Sequence, residues 1–304
     1  ATSVLLNSTL QINLNNFMAQ PDSSSSLDWD DEWQIVFLHG LEGGPRGRKS
    51  LYLQKHFGTA AGPVLHHVDS SSCPPRRLRT QVLVPDLEMS LYDVRKRNSL
   101  PRCFKLSRCL EGCAEIAHDV ITTMLTETAS QAEDSEARRT RSRQKFLLAG
   151  SSWGGAVALR LLEKGMRPDK VLLFAPALGA GGSIWGTAWP KMELPEDLFQ
   201  SQFGPGTAQG GSKLVMLLHG DADDTIPVEL SREFAARFAS WVDYVEFAGG
   251  CHKLNGALKI EKYRILPDGE FETVEEDPPS TVSDDADLQP DLKQIVLDLI
   301  TAKL

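Results

Sequence analysis

An α/β fold, with a mainly parallel central sheet and helices on both faces, is what this sequence predicts, and three observations predict it. Short apolar runs of strand length alternate with segments of helical periodicity, an order that favours parallel strands joined by right-handed crossovers. The runs are continuous, as in Gln34-Ile35-Val36-Phe37-Leu38, so they are expected to be buried on both faces of a sheet. Three motifs able to carry chemistry, at His39-Gly40, Ser152 and Asp223, fall at the carboxyl ends of such runs. Ligands in open α/β sheets bind beyond those ends.

Each element has its own signal. Residues 1–32 include Pro21-Asp22 followed by four serines and are expected to form a flexible arm ahead of a single domain over 33–304. The first strand, Gln34–Leu38, runs into the three-glycine loop His39-Gly40-Leu41-Glu42-Gly43-Gly44-Pro45, and a helix follows from about Lys49 to Phe57. Residues 58–80 contain Gly58, Gly62, Pro63, Pro74 and Pro75 and read as an irregular insertion. Gln81–Asp86 is the next strand. Leu110, Cys113, Ile116, Val120 and Ile121 then share one side of a helix over Leu106–Leu125, and the charged, apolar-poor stretch 126–144 reads as a surface linker.

Lys145–Ala149 is a strand, with a helix after it to about Lys164, and Lys170–Pro176 is another strand. Residues 177–212, rich in glycine, proline and aromatic side chains, sit where a lid-like insertion over a pocket would lie. Lys213–Leu218 (strand), Val228–Phe238 (helix) and Asp243–Phe247 (strand) continue the alternation. Residues 262–290 are acidic and proline-containing and read as a mobile segment, and Asp291–Leu304 is a closing amphipathic helix.

Composition narrows the function. A chain of 304 residues can bury a large core, and a net charge of −9 argues against a general nucleic-acid binder. The basic clusters, such as Arg76/Arg77/Arg79 and Arg95/Lys96/Arg97, read as solvated loop charge. Five cysteines, an odd number, fit reduced thiols better than a disulfide framework. Cys109 and Cys113 stand i,i+4 on a helix, and His66-His67 has no carboxylate cluster beside it, so neither pair reads as a metal site. No apolar run approaches the about 18 to 20 residues of a membrane span. Residues 1–20 hold no charged side chain, unlike the basic leaders of exported proteins, and the expected location is the cytoplasm.

The chemistry centres on Gly150-Ser151-Ser152-Trp153-Gly154, which fits the pattern G-x-S-x-G. That pattern describes a sharp strand-to-helix turn in which a serine is held in strained backbone and a side chain two residues to either side would collide with its neighbours. The glycine frame selects Ser152 over Ser151, because a shift by one would put Ala149 and Trp153 where glycines are needed. A serine hydroxyl needs a base within hydrogen-bond reach, and the base needs an orienting carboxylate. After Ser152 the chain offers His219-Gly220-Asp221-Ala222-Asp223-Asp224 at one strand end and Gly249-Gly250-Cys251-His252 at the next.

The order Ser, Asp, His is the one such a turn predicts, and His252 is the only histidine after His219. Asp223 is taken as the acid, with Asp224 its rival; His219 reads as structural and bonded to backbone. For the developing oxyanion, the backbone N–H of Trp153 and, from the loop after the first strand, that of Leu41 are the expected donors. His39 reads as a brace of that loop. The glycine loop lacks the spacing of a phosphate cradle. Arg46 and Arg48, with Lys49, could meet an anionic substrate group, and Trp185 could narrow an acyl pocket.

Together these residues resemble the α/β-hydrolase superfamily. His39-Gly40-Leu41-Glu42-Gly43-Gly44-Pro45-Arg46-Gly47-Arg48-Lys49 and Gly150–Gly155 are similar to small serine esterases of the YqiA-like group, and Phe174-Ala175-Pro176-Ala177, His219–Pro227 and Cys251-His252-Lys253-Leu254 extend the likeness over about 33–260. The resemblance implies an α/β-hydrolase fold, hydrolysis of small acyl esters by Ser152, Asp223 and His252, and no metal or organic cofactor. An acyl thioesterase (a protein or lipid deacylase) fits the same residues. A hydrolase-fold protein that binds a ligand without turnover is the alternative from another class.

Overall fold

Strands that are apolar along their whole length are stable only if both faces of their sheet are covered, and that cover is what the chain builds. The computed structural model describes residues 31–40, 44–59, 62–70, 73–87, 102–132, 145–179, 183–184, 187–188, 194–203, 213–267, 270–274 and 291–301. In chain order the elements are β1 (Asp31–Leu38), α1 (Arg48–Phe57), β2 (Gly58–Thr59), β3 (Gly62–Ser70), β4 (Cys73–Leu83), α2 (Arg102–Ala132), β5 (Lys145–Ser151), α3 (Trp153–Glu163) and β6 (Lys170–Phe174). Then come β7 (Ser183–Ile184), β8 (Thr187–Ala188), α4 (Leu198–Phe203), β9 (Val215–Gly220), α5 (Val228–Arg237), β10 (Val242–Phe247), β11 (Lys262–Ile265), β12 (Phe271–Val274) and α6 (Leu292–Thr301).

Eight strands form one sheet in the order β10-β9-β6-β5-β1-β4-β3-β2. All pairs from β10 to β4 are parallel. The outer strands β3 and β2 run antiparallel to their neighbours. Side chains alternate between two cores. Trp33, Ile35 and Phe37 of β1, with Leu172 and Phe174 of β6, pack in the layer of α1 and α6. Val36 and Leu38, with Val171 and Leu173, pack on the other face in the layer of α2 and α3. A slip of one residue would exchange the two sets, and each large apolar side chain contributes about 1.5–3 kcal/mol on burial, so the register is strongly specified. Among the described residues no helix is long and apolar enough to cross a membrane.

Several sequence expectations need correction. Residues 58–80 are not an irregular insertion: β2, β3 and the first part of β4 extend the sheet as an antiparallel edge. The prolines misled because they lie where pairing is one-sided. β1 reaches β4 only from Leu78 onward, so Pro74 and Pro75 face β3 alone, beside a register shift at Val68/Ser70. β1 begins at Asp31, and α2 reaches Ala132, into the stretch read as linker. The segment read as mobile from 262 begins with the β11–β12 hairpin. In 177–212, α4 is anchored by Phe199, whose ring meets Phe234 and Phe238 edge-on at 6.4 and 5.0 Å. Most of the expected arm and of the lid-like insertion lies outside the described residues.

Candidate active site

The site is assembled at the carboxyl ends of β1, β5, β9 and β10. At the end of β5 the chain turns so sharply into α3 that Ser152 takes φ 54° and ψ −113°, in the left-handed region that non-glycine residues rarely adopt. A Cβ on Gly150 would overlap Gly154 O, and one on Gly154 would overlap Leu38 O at the end of β1, which is the physical content of the two glycines. The strained turn is held by Ser152 N donating to Phe174 O at 2.8 Å and Ala177 N donating to Ser152 O at 3.0 Å.

The next two strand ends are brought together by a similar close approach. A Cβ on Gly220, the last residue of β9, would overlap Gly250 O after β10. Asp221 Oδ1 accepts a 2.6 Å hydrogen bond from Gly249 N and ties the two loops. Asp223 and His252, each a few residues on, are thereby aimed at one another.

His252 Nδ1 donates to Asp223 Oδ2 at 2.7 Å. With its proton on Nδ1, the ring presents a lone pair at Nε2, and Ser152 Oγ donates to it at 3.0 Å. Of the two aspartates that the sequence left as rivals, Asp223 is the one bonded to His252. The Asp223 side chain is fully buried. Asp224 is exposed and accepts from Thr225 Oγ1 at 3.1 Å.

Asp223 has four donors. Oδ1 accepts from the backbone N–H groups of Thr225 and Ile226, both at 2.8 Å. Oδ2 accepts from His252 and also from His219 Nε2 at 2.9 Å. Burial alone would raise the pKa of this carboxyl, but the bonds from His219, His252 and Ile226 N–H outweigh it and hold the group well below the usual carboxylate range.

His219 is the residue that sequence reasoning underrated. It is fully buried, and besides the expected backbone contact (Ile226 O, 3.2 Å) it bonds Asp223 and, through Nδ1, Ser231 Oγ at 2.6 Å. Since Nε2 faces two acceptors it carries the proton, and Nδ1 accepts from the Ser231 hydroxyl. The available signal was the i,i+4 spacing of His219 and Asp223 across a strand end.

His39 braces its loop as expected. Its Nδ1 donates to Gly40 O at 3.0 Å and its Nε2 accepts from Leu87 N at 3.3 Å, with burial pulling its pKa down. A Cβ on Gly40 would come within 3.3 Å of Ser152 Cβ, so the loop after β1 passes beside the serine. Leu41 lies outside the described residues. Trp153, 1% exposed, contributes the first N–H of α3 next to Ser152.

A cavity of about 700 Å³ opens on Ser152 and His252, lined also by Arg48, Lys49 and Ser50 of α1 and by Asn255 of the loop after β10. Arg46 is exposed and is not among the lining residues. Trp185 lies outside the described residues. Among the described residues no group of three or more His, Cys, Asp or Glu side chains is arranged to hold a metal ion.

A parallel sheet in this order, flanked by helices on both faces and turning sharply at a serine after β5, is the α/β-hydrolase fold. No protein-family model and no curated protein matches the chain. Among solved structures, it is similar to TT1662 from Thermus thermophilus, with 22% identity over 73% of this chain and 82% of that one, at a TM-score of 0.39. It is also similar to XC6422 from Xanthomonas campestris, described as an α/β serine hydrolase without lid, at 15% identity over 74% and 76% and a TM-score of 0.36. A third is a monoacylglycerol lipase of Paleococcus ferrophilus, at 15% identity over 73% and 86% and a TM-score of 0.37.

Proposed function

We propose that the protein is a serine hydrolase that cleaves carboxylic esters through an acyl-enzyme, within the YqiA-like group that its sequence motifs resemble. One observation carries the reading: Ser152 Oγ stands 3.0 Å from an imidazole nitrogen whose partner nitrogen is 2.7 Å from a buried, four-fold bonded carboxylate. In this mechanism Ser152 Oγ attacks the ester carbonyl as its proton passes to His252 Nε2. Asp223 holds the ring in the tautomer that can accept that proton and stabilises the imidazolium that results. The tetrahedral oxyanion is bound by the N–H of Trp153 and, from the loop beside Ser152, the N–H of Leu41, each such donor lowering the barrier by about 3 kcal/mol. His252 then protonates the leaving alcohol, and water, deprotonated by the same ring, releases the acid and restores Ser152.

The test is covalent labelling. A fluorophosphonate probe should label the wild-type chain and not Ser152→Ala, and a p-nitrophenyl ester should be hydrolysed with the same dependence. Labelling that persists in Ser152→Ala ends the assignment, and a labelled serine without turnover favours the ligand-binding alternative. Matched acyl esters and acyl thioesters, compared by kcat/KM, separate esterase from thioesterase.

A further inference from the structure

We propose that the α1 end of the cavity is an anion subsite, in which Lys49 and Ser50 bind a carboxylate carried by the substrate. The proposal rests on the ester-hydrolase reading of Ser152 and assigns that site a substrate class: esters that bear a second, ionised carboxyl group.

Helix α1 begins at Arg48 beside the cavity, with Gly47 at its N-cap, no side-chain cap and no acidic residue in its first turn. Its first bond from the fourth turn position runs from Leu51 N to Gly47 O at 3.0 Å, so the N–H groups of the first turn precede the helical ladder. Such an end attracts negative charge.

The side chains add a second and independent observation. Ser50, 1% exposed, lines the cavity, and its buried hydroxyl has no hydrogen-bond partner among the described residues. Asn255, on the same cavity, has a buried Oδ1 that likewise lacks a partner among the described residues. A buried polar atom left without a partner typically costs about 1–3 kcal/mol, so two of them on residues that line one cavity favour a ligand group there.

The charge of the wall selects the ligand. Of the charged residues lining the cavity, Arg48, Lys49 and Lys253 are basic and Asp224 is acidic. Arg48 Nε is already engaged with Glu261 O at 2.8 Å. The Lys49 ammonium bonds Lys253 O and lies 5.8 Å from the centre of the Phe174 ring, which leaves donors for a ligand. Burial lowers its pKa to about 8, with Cys251 acting against the shift and the charges of Lys253 and Arg48 adding to it. An anion that docks against the ammonium favours its charged form and offsets the lowering. One available ammonium, one hydroxyl and one helix terminus match a singly charged carboxylate better than a dianionic phosphate. The Ser50 hydroxyl can donate to the carboxylate, and the Asn255 oxygen can accept from a hydroxyl or amide on the same substrate.

The test pairs two p-nitrophenyl esters of equal chain length, the neutral valerate and the glutarate monoester, on the full chain. The expected kcat/KM ratio of anionic to neutral ester is about tenfold or more in wild type, as for loss of one charge-assisted hydrogen bond. The ratio should fall toward one in Lys49→Met and decline in Ser50→Ala, and Lys49→Arg should retain part of it. Since Lys49→Met also removes the bond to Lys253 O, Ser50→Ala serves as the variant that leaves that contact in place. A wild-type ratio near one, or a ratio unchanged in both variants, overturns the subsite while leaving the ester reading intact. If neither ester is turned over, glutarate binding is read by thermal shift in wild type and Lys49→Met. A Lys49-dependent rise in Tm then supports the subsite as the ester reading falls, and no shift overturns the subsite as well. Inorganic phosphate that binds more tightly than glutarate overturns the choice of carboxylate.

Discussion

The buried network behind His252 and the lining of the cavity are built on opposite principles. On the β9–β10 side every polar atom of Asp223 and His219 has a partner: the carboxylate has four donors, and His219 is bonded at both ring nitrogens. In the cavity lining, Ser50 Oγ and Asn255 Oδ1 are buried without a partner among the described residues. A closed network fixes geometry, because each member is held by the others and no alternative rotamer keeps all bonds. An open wall costs folding free energy and keeps donors and acceptors available for something that binds. The difference teaches that the buried network is suited to orient a group and the cavity lining to recognise a ligand.

The sharpest way to break this comparison is at the acid. Asp223→Asn is expected to lower kcat by about 10⁴-fold, because the amide cannot hold the His252 tautomer that accepts the serine proton. Asp224→Asn should change kcat by no more than about threefold, being an exposed neighbour, as most surface substitutions are mild. Steady-state kinetics on one p-nitrophenyl ester compares the two, and equal losses would return Asp224 to contention.

Next in size is His219→Phe, which removes one of the four donors to Asp223. His219 is a positioning residue, and kcat is expected to fall about 10- to 100-fold, in line with loss of a charge-assisted bond of about 1.5–3 kcal/mol. Acid stability provides a readout of its own. The folded-state pKa of Asp223 is depressed, so its contribution to stability is full above the unfolded value of 3.8 and is lost as pH falls from there toward the lower folded value. With one donor fewer the depression shrinks. The variant should therefore be less stable at pH 7 and should lose less of that stability between pH 5 and pH 3, both measured as denaturant midpoints.

A smaller effect concerns pH. Lys49, facing Cys251, Lys253 and Arg48, is protonated below a pKa of about 8 and neutral above it. The preference for the anionic ester over the neutral one should accordingly decline as pH rises through about 8, and a ratio that is flat from pH 7 to pH 9.5 would contradict the role of its charge.

The smallest expected effect compares two serines. Ser231→Ala leaves His219 Nδ1 without its donor in a closed network and should destabilise the fold by about 1–3 kcal/mol. Ser50→Ala removes a hydroxyl that has no partner and should leave stability within about 0.5 kcal/mol of wild type or raise it. Equal losses in urea denaturation would mean that the buried network and the cavity lining do not differ.

The legibility of the chain in sequence follows the same division. Ser152 could be read because close backbone approach leaves a glycine at Gly150 and Gly154, and His252 because strand ends converge in an α/β sheet. The antiparallel edge at β3 and β4 was hidden by Pro63, Pro74 and Pro75, whose tolerance depends on a missing neighbour that only the three-dimensional arrangement reveals. The contact of His219 with Asp223 and Ser231 was equally hidden, since a buried network joins residues by position and no local pattern specifies it. The basic run after Pro45 was visible as charge, but Lys49 and Ser50, in the first turn of α1, line the cavity, while Arg46, ahead of the helix, is exposed.

The measurement that tests the central claim most directly is acyl-enzyme trapping by rapid acid quench with a p-nitrophenyl ester, followed by mass spectrometry of the digested chain. The expected result is a burst of p-nitrophenol of about one equivalent per chain in wild type, with the acyl group on the peptide that contains Ser152, and neither burst nor adduct in Ser152→Ala. Turnover with the acyl group on another residue, or turnover undiminished in Ser152→Ala, would contradict the account.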